Sequence, residues 1–262
     1  MGWSTIAAPM TPTTDNPEGG SRATVVLVHG AWHGAWCWER VVDGLVRAGV
    51  ETVAVDLPGH GADPGPFSDL HGDAARVRSV LDETHGPVVL VGHSYGGAVI
   101  TEAGDHPAVR HLVYVAALAL DAEETCMAAA VGQAAPPVAT ADRPDLSAGL
   151  EVHDDGTATI ERSLAAACLY NDCDQQSTEW ALDRLGPQPL ITLQQEPRAV
   201  AWRTIPSTYV VCQHDQTVSP ELQRVLATRC TTSVEWPTDH SPFLSDPQLV
   251  VDLLRSTAVA AG

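Results

Sequence analysis

Short apolar runs separated by amphipathic stretches make up the first half of the chain. Four such runs occur, at 24–29, 52–55, 88–91 and 112–117. A short run that is apolar throughout and ends at a glycine or a turn is typical of a strand buried on both faces. The amphipathic stretches between them predict helices at 36–48, 70–84 and 98–103. Alternating strands and helices predict an α/β fold, with a doubly wound, mostly parallel sheet covered by helices on both faces.

This alternation stops at about Asp121 and resumes after Pro206. The intervening segment is rich in Ala, Pro and Asp, with helices predicted near 161–170 and 177–185. We interpret residues 121–206 as a helical cap inserted over the sheet. Beyond it, the pattern predicts further strands and helices at 208–212, 220–227, 233–236 and 247–256. Residues 23–262 are therefore expected to form one domain, preceded by a disordered tail of residues 1–22 that is rich in Thr, Pro and Gly.

Composition narrows the classes of function. The formal net charge of -19 for 262 residues argues against nucleic acid and anionic membrane surfaces as partners. No apolar run approaches the roughly 20 residues that span a bilayer. The first residues also lack the charged start and apolar stretch of a signal peptide, so a cytoplasmic location is expected.

A glycine-rich hexapeptide carries the strongest chemical signal. Gly92-His93-Ser94-Tyr95-Gly96-Gly97 directly follows the predicted strand at 88–91 and opens a helix. In that context a Gly-x-Ser-x-Gly motif is typical of a nucleophile held on a tight turn, at a helix N-terminus that favours negative charge. The alternative is an ordinary glycine-rich turn with a capping serine. The context favours Ser94 as the nucleophile.

A serine nucleophile needs a base and a carboxylate that orients the base. His240 is the candidate base, because it lies in a loop after the last predicted strand, where an open α/β sheet places its site. Asp215 follows the strand at 208–212 and gives the chain order Ser, Asp, His that this arrangement requires. Asp239, the neighbour of His240, is the alternative carboxylate.

Two backbone N–H groups must stabilise the developing oxyanion. Tyr95, next to the nucleophile, supplies one, and Ala31 in the loop after the first strand is the candidate for the other. Trp32 and His93 flank these donors and are candidate substrate contacts, although His93 is expected to pack rather than to catalyse. His29 is expected to have a structural role, and its spacing from His33 is a weak metal signal. No metal and no cofactor are predicted.

As a set, these motifs resemble the α/β-hydrolases related to plant methyl-salicylate esterases and hydroxynitrile lyases, with their bacterial esterase relatives. The matching segments are 28–36, 56–61, 92–97, 169–173, Asp215 with 220–223, and Asp239-His240. The resemblance implies a small helical cap over a mostly apolar pocket, no cofactor, and the same triad and oxyanion donors. The chain departs from the plant lyases at Ser241, where they carry a lysine, and at Gly30, where they carry a threonine.

The expected function is hydrolysis of a carboxylic ester, lactone or thioester through an acyl-enzyme. The substrate is expected to be a small to medium apolar molecule. Two alternatives stay open at this point. One is a lyase or an enzyme that cleaves C–C bonds, which the same fold can host. The other is a ligand receptor with slow turnover.

Overall fold

Apolar strands form the centre of the protein, as described by a computed structural model for residues 22–132 and 144–262. In these residues the strands are β1 (Thr24–Val28), β2 (Thr52–Val55), β3 (Val88–His93), β4 (Val109–Val115), β5 (Leu150–Val152), β6 (Thr157–Ile160), β7 (Gln188–Pro189), β8 (Ser207–Cys212) and β9 (Thr232–Trp236). Six of them pair in parallel in the order β2-β1-β3-β4-β8-β9. The predicted α/β fold with a mostly parallel sheet is confirmed.

Helices cover both faces of this sheet. The described helices are α1 (Glu39–Arg47), α2 (Leu70–Glu83), α3 (Gly96–Ala103), α4 (Cys126–Gly132), α5 (Arg162–Leu169), α6 (Gln175–Leu182), α7 (Pro220–Ala227), α8 (Pro242–Ser245) and α9 (Pro247–Ala260). Side chains of α2, α3 and α7 join the apolar core on one face, and those of α1, α8 and α9 join the core on the other. Successive strand residues alternate between these cores, as Val25 and Val26 do, because side chains along a strand point to opposite faces.

The strands of the six-stranded sheet and the helices that cover it, which we call the scaffold, begin and end within a few residues of the predicted positions. The largest difference among the sheet strands is at β4, which begins at Val109, three residues before the predicted start. The start of β4 includes the exposed Arg110. A charged residue interrupts the apolar pattern from which strands are predicted, so the first residues of β4 could not be recognised. At the other end, Ala116 has a φ of 46° and no longer belongs to the strand.

Residues 121–206, which we call the cap segment, connect β4 to β8. The structure describes residues 121–132 and 144–206 of it, and residues 133–143 lie outside the description. The helices predicted near 161–170 and 177–185 are observed as α5 and α6. The segment also contains β5, β6 and β7, which form a second, antiparallel sheet that the sequence did not predict. Strands of two to four residues are too short to show a period of two in the sequence.

The predicted disordered tail falls almost wholly on residues 1–21, which lie outside the description. Its last residue, Arg22, is described, and its guanidinium donates to the carbonyl of Ala48 at 2.8 Å. The start of the domain at residue 23 stays a prediction. Among the described residues no helix has the length and apolar character that crossing a membrane requires.

Candidate active site

The turn between β3 and α3 holds the predicted nucleophile. Ser94 has a φ of 52°, a left-handed backbone conformation that is uncommon for a residue with a side chain. The backbone at Gly92 lies close to the backbone at Gly96, since a Cβ atom on Gly92 would lie 2.5 Å from the carbonyl oxygen of Gly96. Ser94 therefore lies on a strained turn between a buried strand and a helix N-terminus, which is the context that the motif predicted.

The loops after β8 and β9 bring His240 and Asp215 together. The two residues are each 1% exposed, and His240 Nδ1 donates to Asp215 Oδ2 at 2.7 Å. The backbone N–H groups of Thr217 and Val218 donate to Asp215 Oδ1 at 2.7 and 2.9 Å, and Gln223 Nε2 donates to Oδ2 at 2.8 Å. This carboxylate keeps the imidazole proton on Nδ1, so the lone pair on Nε2 can accept a proton.

Ser94 is linked to this pair through its chain neighbour His93. The ring of His93 lies 4.6 Å from the ring of His240 between centroids, and His93 Nε2 donates to the His240 carbonyl at 2.8 Å. Among the described residues no hydrogen bond joins Ser94 Oγ to His240 Nε2. Catalytic hydrogen bonds are often long in the absence of substrate. The structure thus pairs the candidate base with its carboxylate, and it leaves the contact to the nucleophile unformed.

Asp239, the alternative carboxylate, is engaged with other groups. Its Oδ1 accepts hydrogen bonds from the Ser241 N–H at 3.1 Å and from Ser245 Oγ at 2.7 Å. Its Oδ2 accepts from the Asp172 N–H at 3.1 Å, and burial raises the pKa of the carboxyl. Asp239 therefore ties the loop that carries His240 to the cap segment, and the imidazole of His240 is paired with Asp215 instead.

The two predicted oxyanion donors lie on neighbouring loops. Ala31 follows β1 and Tyr95 follows β3, and these strands pair with Val28 opposite Gly92. In the described part of the chain, neither the Ala31 nor the Tyr95 amide donates to a protein acceptor. Uncommitted N–H groups at the carboxyl ends of adjacent strands fit the requirement of an oxyanion hole.

The two candidate substrate contacts differ in what the structure supports. His93 is fully buried, its ring packs edge-on against Phe243 at 4.8 Å, and burial lowers its pKa. A substrate contact by His93 is not supported, because protein groups enclose the ring. Trp32 is 8% exposed and lines a cavity of about 100 Å³ together with Ile160 and Leu185. Trp32 stays a predicted substrate contact.

The structural role expected for His29 extends to His33. His29 Nδ1 donates to the carbonyl of the next residue at 2.8 Å, and its Nε2 accepts the Leu57 N–H at 3.2 Å. His33 Nδ1 donates to the Ala31 carbonyl at 2.8 Å, and its Nε2 accepts the Tyr170 hydroxyl at 2.8 Å. Burial lowers the pKa of both rings, to about 4 for His33. No group of three potential metal ligands forms among the described residues.

Three buried polar side chains that the sequence did not predict as site residues contact the predicted site. The amide oxygen of Gln188 accepts the backbone N–H of Trp32 at 3.1 Å. The hydroxyl of Tyr95 donates to Asp73 Oδ2 at 2.6 Å, and burial raises the pKa of Asp73 to about 7. Tyr170 contacts the loop after β1 through His33, as described above. Tyr170 belongs to one of the family motifs, whereas no sequence pattern marks Gln188 or Asp73.

An open cleft lies beside the loops after β1 and β2 and away from Ser94. Its volume is about 910 Å³, and its lining includes His33, Trp36, Asp56, His60, Arg184 and Pro187. Neither Ser94 nor His240 contributes to this lining. The cleft therefore lies between the cap segment and the loops after β1 and β2, and it is separate from the candidate catalytic residues.

Two of the three relatives named here match 90% of the chain. The alpha/beta hydrolase nvfD of Aspergillus novofumigatus is 30% identical over 253 residues, which cover 90% of this chain and 97% of that protein. Methylesterase 17 of Arabidopsis thaliana is 25% identical over 90% of this chain and 92% of its own length. The carbendazim hydrolyzing esterase of a Nocardioides strain is 38% identical over 40% of this chain and 46% of its own length.

Solved structures show the same fold at lower identity. A pyrethroid hydrolase from Sphingobium faniae JZ-2 superposes with a TM-score of 0.78 at 22% identity, covering 91% of this chain and 98% of that one. Polyneuridine aldehyde esterase superposes with a TM-score of 0.77 at 21% identity, covering 90% and 99%. The family model described as "Alpha/beta hydrolase family" matches residues 25–253, which include every predicted site residue. With the nucleophile turn, the buried Asp–His pair and this match in agreement, the chain belongs to the alpha/beta hydrolase family, and the relatives named here are hydrolases and esterases.

Proposed function

We propose that this protein hydrolyses carboxylic esters through an acyl-enzyme formed on Ser94. The observation that carries the proposal is the buried hydrogen bond from His240 Nδ1 to Asp215 Oδ2, 2.7 Å long, in the loops beside the strained turn of Ser94. A buried Asp–His pair prepares a neutral imidazole for proton transfer, and a strained serine turn presents a hydroxyl.

The reaction follows from these positions. Ser94 Oγ attacks the ester carbonyl carbon while His240 Nε2 takes the hydroxyl proton. The carbonyl oxygen becomes an alkoxide that accepts hydrogen bonds from the N–H groups of Ala31 and Tyr95. When the tetrahedral intermediate collapses, the C–O bond to the alcohol breaks and His240 returns its proton to the leaving oxygen. Water then attacks the acyl carbon of the acyl-Ser94 ester while His240 takes a proton from it. The bond between the acyl carbon and Ser94 Oγ breaks, His240 returns the proton to Ser94 Oγ, and the acid is released.

The proposed substrate is a small to medium apolar ester, with lactones and thioesters suited to the same groups. Several relatives are named methylesterases, so methyl esters are the first substrates to assay. The mechanism uses only side chains and backbone N–H groups of this chain, and the proposal requires no cofactor and no metal.

The lyase alternative lacks a cation where its chemistry needs one. Cyanide leaves a cyanohydrin as an anion, and a positive charge beside the base would stabilise it. Ser241 stands next to His240 and is fully buried, and the basic residues of the chain are all arginine. Arg162 pairs with Glu179 and Asp183 on the surface. Arg184 is a second arginine of the cap segment that could supply a positive charge, and its guanidinium lies over the Trp180 ring at 4.4 Å and donates to the Trp180 carbonyl.

Labelling with a fluorophosphonate probe tests the proposal. Native protein should be labelled and should turn over methyl and aryl esters, and Ser94→Ala should lose both labelling and turnover. Ser256→Ala, which changes an exposed serine on α9, is the matched control and should keep both. Undiminished labelling of Ser94→Ala would overturn the assignment.

A side-by-side assay on mandelonitrile separates the alternatives. Esters should be hydrolysed and mandelonitrile should decay only at its spontaneous rate. Cyanide release above that rate without ester turnover would favour the lyase. Stoichiometric labelling of Ser94 with turnover close to zero on every ester would favour a receptor.

A further inference from the structure

Trp32, the residue after the candidate oxyanion donor Ala31, is hydrogen-bonded entirely to the cap segment. Its backbone N–H donates to Gln188 Oε1 at 3.1 Å, and its carbonyl accepts the Gly186 N–H at 2.9 Å. Its indole Nε1 donates to the Ala158 carbonyl at 2.9 Å. All three polar groups of this residue therefore depend on a part of the chain more than 120 positions away in sequence.

The backbone at Trp32 needs such support, because its φ of 64° lies in the left-handed region. That conformation is unfavourable for a residue with a bulky side chain and persists only where the surroundings hold it. The peptide group between Ala31 and Trp32 is held at both ends. Its N–H bonds to Gln188, and its carbonyl accepts His33 Nδ1 at 2.8 Å. The N–H of Ala31 belongs to the preceding peptide group, whose Gly30 carbonyl accepts His29 Nδ1 at 2.8 Å and the His33 N–H at 3.3 Å. The loop after β1 therefore holds the peptide on the N-terminal side of Ala31, and Gln188 helps to hold the peptide on its C-terminal side.

Gln188 is suited to this role by burial and by chemistry. It is fully buried in β7, and its amide orientation is fixed because the Trp32 N–H can only donate. The Nε2 group donates to Thr192 Oγ1 at 2.8 Å, and His60 Nε2 approaches the same Oε1 at 3.0 Å. Gln188 thus connects the loop after β1, the loop after β2 and the cap segment through one side chain.

We infer that the cap segment holds the oxyanion hole in shape, and that Gln188 is the positioning residue through which it acts on Ala31. The inference rests on the proposed function. Gln188 touches neither the nucleophile nor the candidate base. It helps to fix the Ala31–Trp32 peptide, and that peptide sets the position of the adjoining Ala31, whose N–H is the proposed donor to the alkoxide. Without the acceptor on Gln188, Trp32 relaxes toward an ordinary backbone conformation and displaces Ala31.

Gln188→Leu, compared with Gln195→Leu, tests this inference. Gln195 also joins the cap segment to the hydrolase core, since Leu70 N–H donates to its Oε1 at 2.8 Å and its Nε2 donates to Asp69. We expect Gln188→Leu to lower kcat on an aryl ester by about 10- to 100-fold with little change in KM, because the interaction is made in the transition state. Gln195→Leu should leave kcat and KM unchanged.

Affinity for a trifluoromethyl ketone, which forms a tetrahedral alkoxide on the serine, is the readout that a merely structural role would not move. The affinity of Gln188→Leu for this inhibitor should fall in parallel with its kcat, and Gln188→Glu, which keeps an acceptor for the Trp32 N–H, should recover a large part of both. If Gln188→Leu does not fold, Tyr170→Phe serves instead, because it removes the donor to His33 Nε2 at 2.8 Å and keeps the ring. A several-fold loss of kcat and of inhibitor affinity is expected for it.

Two outcomes would overturn the inference. One is an equal loss of kcat in Gln188→Leu and Gln195→Leu. The other is an increase in KM with unchanged kcat and unchanged inhibitor affinity. The proposed function is tested separately, because all these rates are compared only after Ser94→Ala has been shown to abolish them. Activity that survives in Ser94→Ala refutes the proposed function whatever the Gln188 variants do.

Discussion

The central sheet and the cap segment are stabilised in different ways. Every residue of β1 and β3 is buried, and their side chains enter two large apolar cores. In β5 of the cap segment no residue is fully buried, but α5 and α6 place buried side chains such as Leu169 and Ala181 in one of these cores. The segment also reaches the loops of the sheet through buried polar groups such as Gln188 and Tyr170. Apolar side chains along β1 and β3 hold the sheet, whereas the cap segment combines apolar packing with specific side-chain hydrogen bonds.

The proposed catalytic groups also differ in which parts of the chain support them. Asp215 is held by Thr217, Val218 and Gln223, which belong to the loop after β8 and to α7. The loop of Ala31 is held from within by His29 and His33, and from the cap segment by Gln188 and Tyr170. The carboxylate of Asp215 is therefore held by groups near it in sequence, whereas the loop of the proposed oxyanion donor Ala31 receives part of its support from the cap segment.

The largest effect is expected from the scaffold side of this comparison. Asp215→Asn should lower kcat by roughly 10⁴, as in the best-studied triad, because an amide no longer favours the imidazole tautomer with the proton on Nδ1. Steady-state kinetics on an aryl ester provide the measurement. Asp239→Asn is the matched variant, and its effect should be far smaller because its carboxylate contacts Ser241, Ser245 and Asp172. A greater loss in Asp239→Asn would reverse the assignment of the carboxylate.

Stability should separate the two regions next. Leu90 is fully buried in β3. Leu90→Ala should lower the free energy of unfolding by about 2–5 kcal/mol, because the substitution leaves a cavity in the apolar core. Leu150 in β5 is only partly buried, and Leu150→Ala should cost about 1 kcal/mol. Urea unfolding followed by circular dichroism measures both. Equal costs would show that the cap segment is packed as tightly as the sheet.

The stability of the scaffold should depend on pH, because the buried carboxyl of Asp73 has one oxygen without a hydrogen-bond partner among the described residues. Asp73 on α2 is fully buried, accepts a hydrogen bond from Tyr95, and has no partner for Oδ1 among the described residues. Burial raises its pKa from 3.8 to about 7, so the folded protein keeps a proton that the unfolded chain releases. Stability attributable to Asp73 is therefore highest below pH 4 and falls as the pH rises toward 7.

Asp73→Asn should remove this loss. We expect a higher melting temperature than that of the native protein at pH 8, and little difference at pH 4.5, with an upper limit of about 4 kcal/mol for the change in unfolding free energy. Asp82→Asn, on the same helix with a side chain that is 74% exposed, is the control and should behave like the native protein at both pH values. Parallel melting profiles for Asp73→Asn and the native protein from pH 4.5 to 8 would contradict the expectation.

The fold and most of the candidate site could be predicted from the sequence, whereas the contacts of the cap segment could not. The strand that became β1 is apolar throughout, and burial on both faces leaves that pattern in any sequence. Ser94, Asp215 and His240 could be named because the turn and the ends of predicted strands fix where chemistry must lie. Gln188 could not be named, since it is a single polar residue between two prolines and its importance comes from a partner, Trp32, that only the folded chain brings near.

The hydrogen bonds of Trp32 also bear on how proteins of this architecture acquire new specificities. Recombination that replaces a whole cap segment by that of a relative is a direct route to a different pocket. In this chain the replacement would need a side-chain acceptor in the place of Gln188 and a main-chain carbonyl in the place of that of Ala158. Point substitutions between those two positions leave both hydrogen bonds in place. New specificities should therefore arise by single substitutions within the existing cap segment more readily than by its replacement.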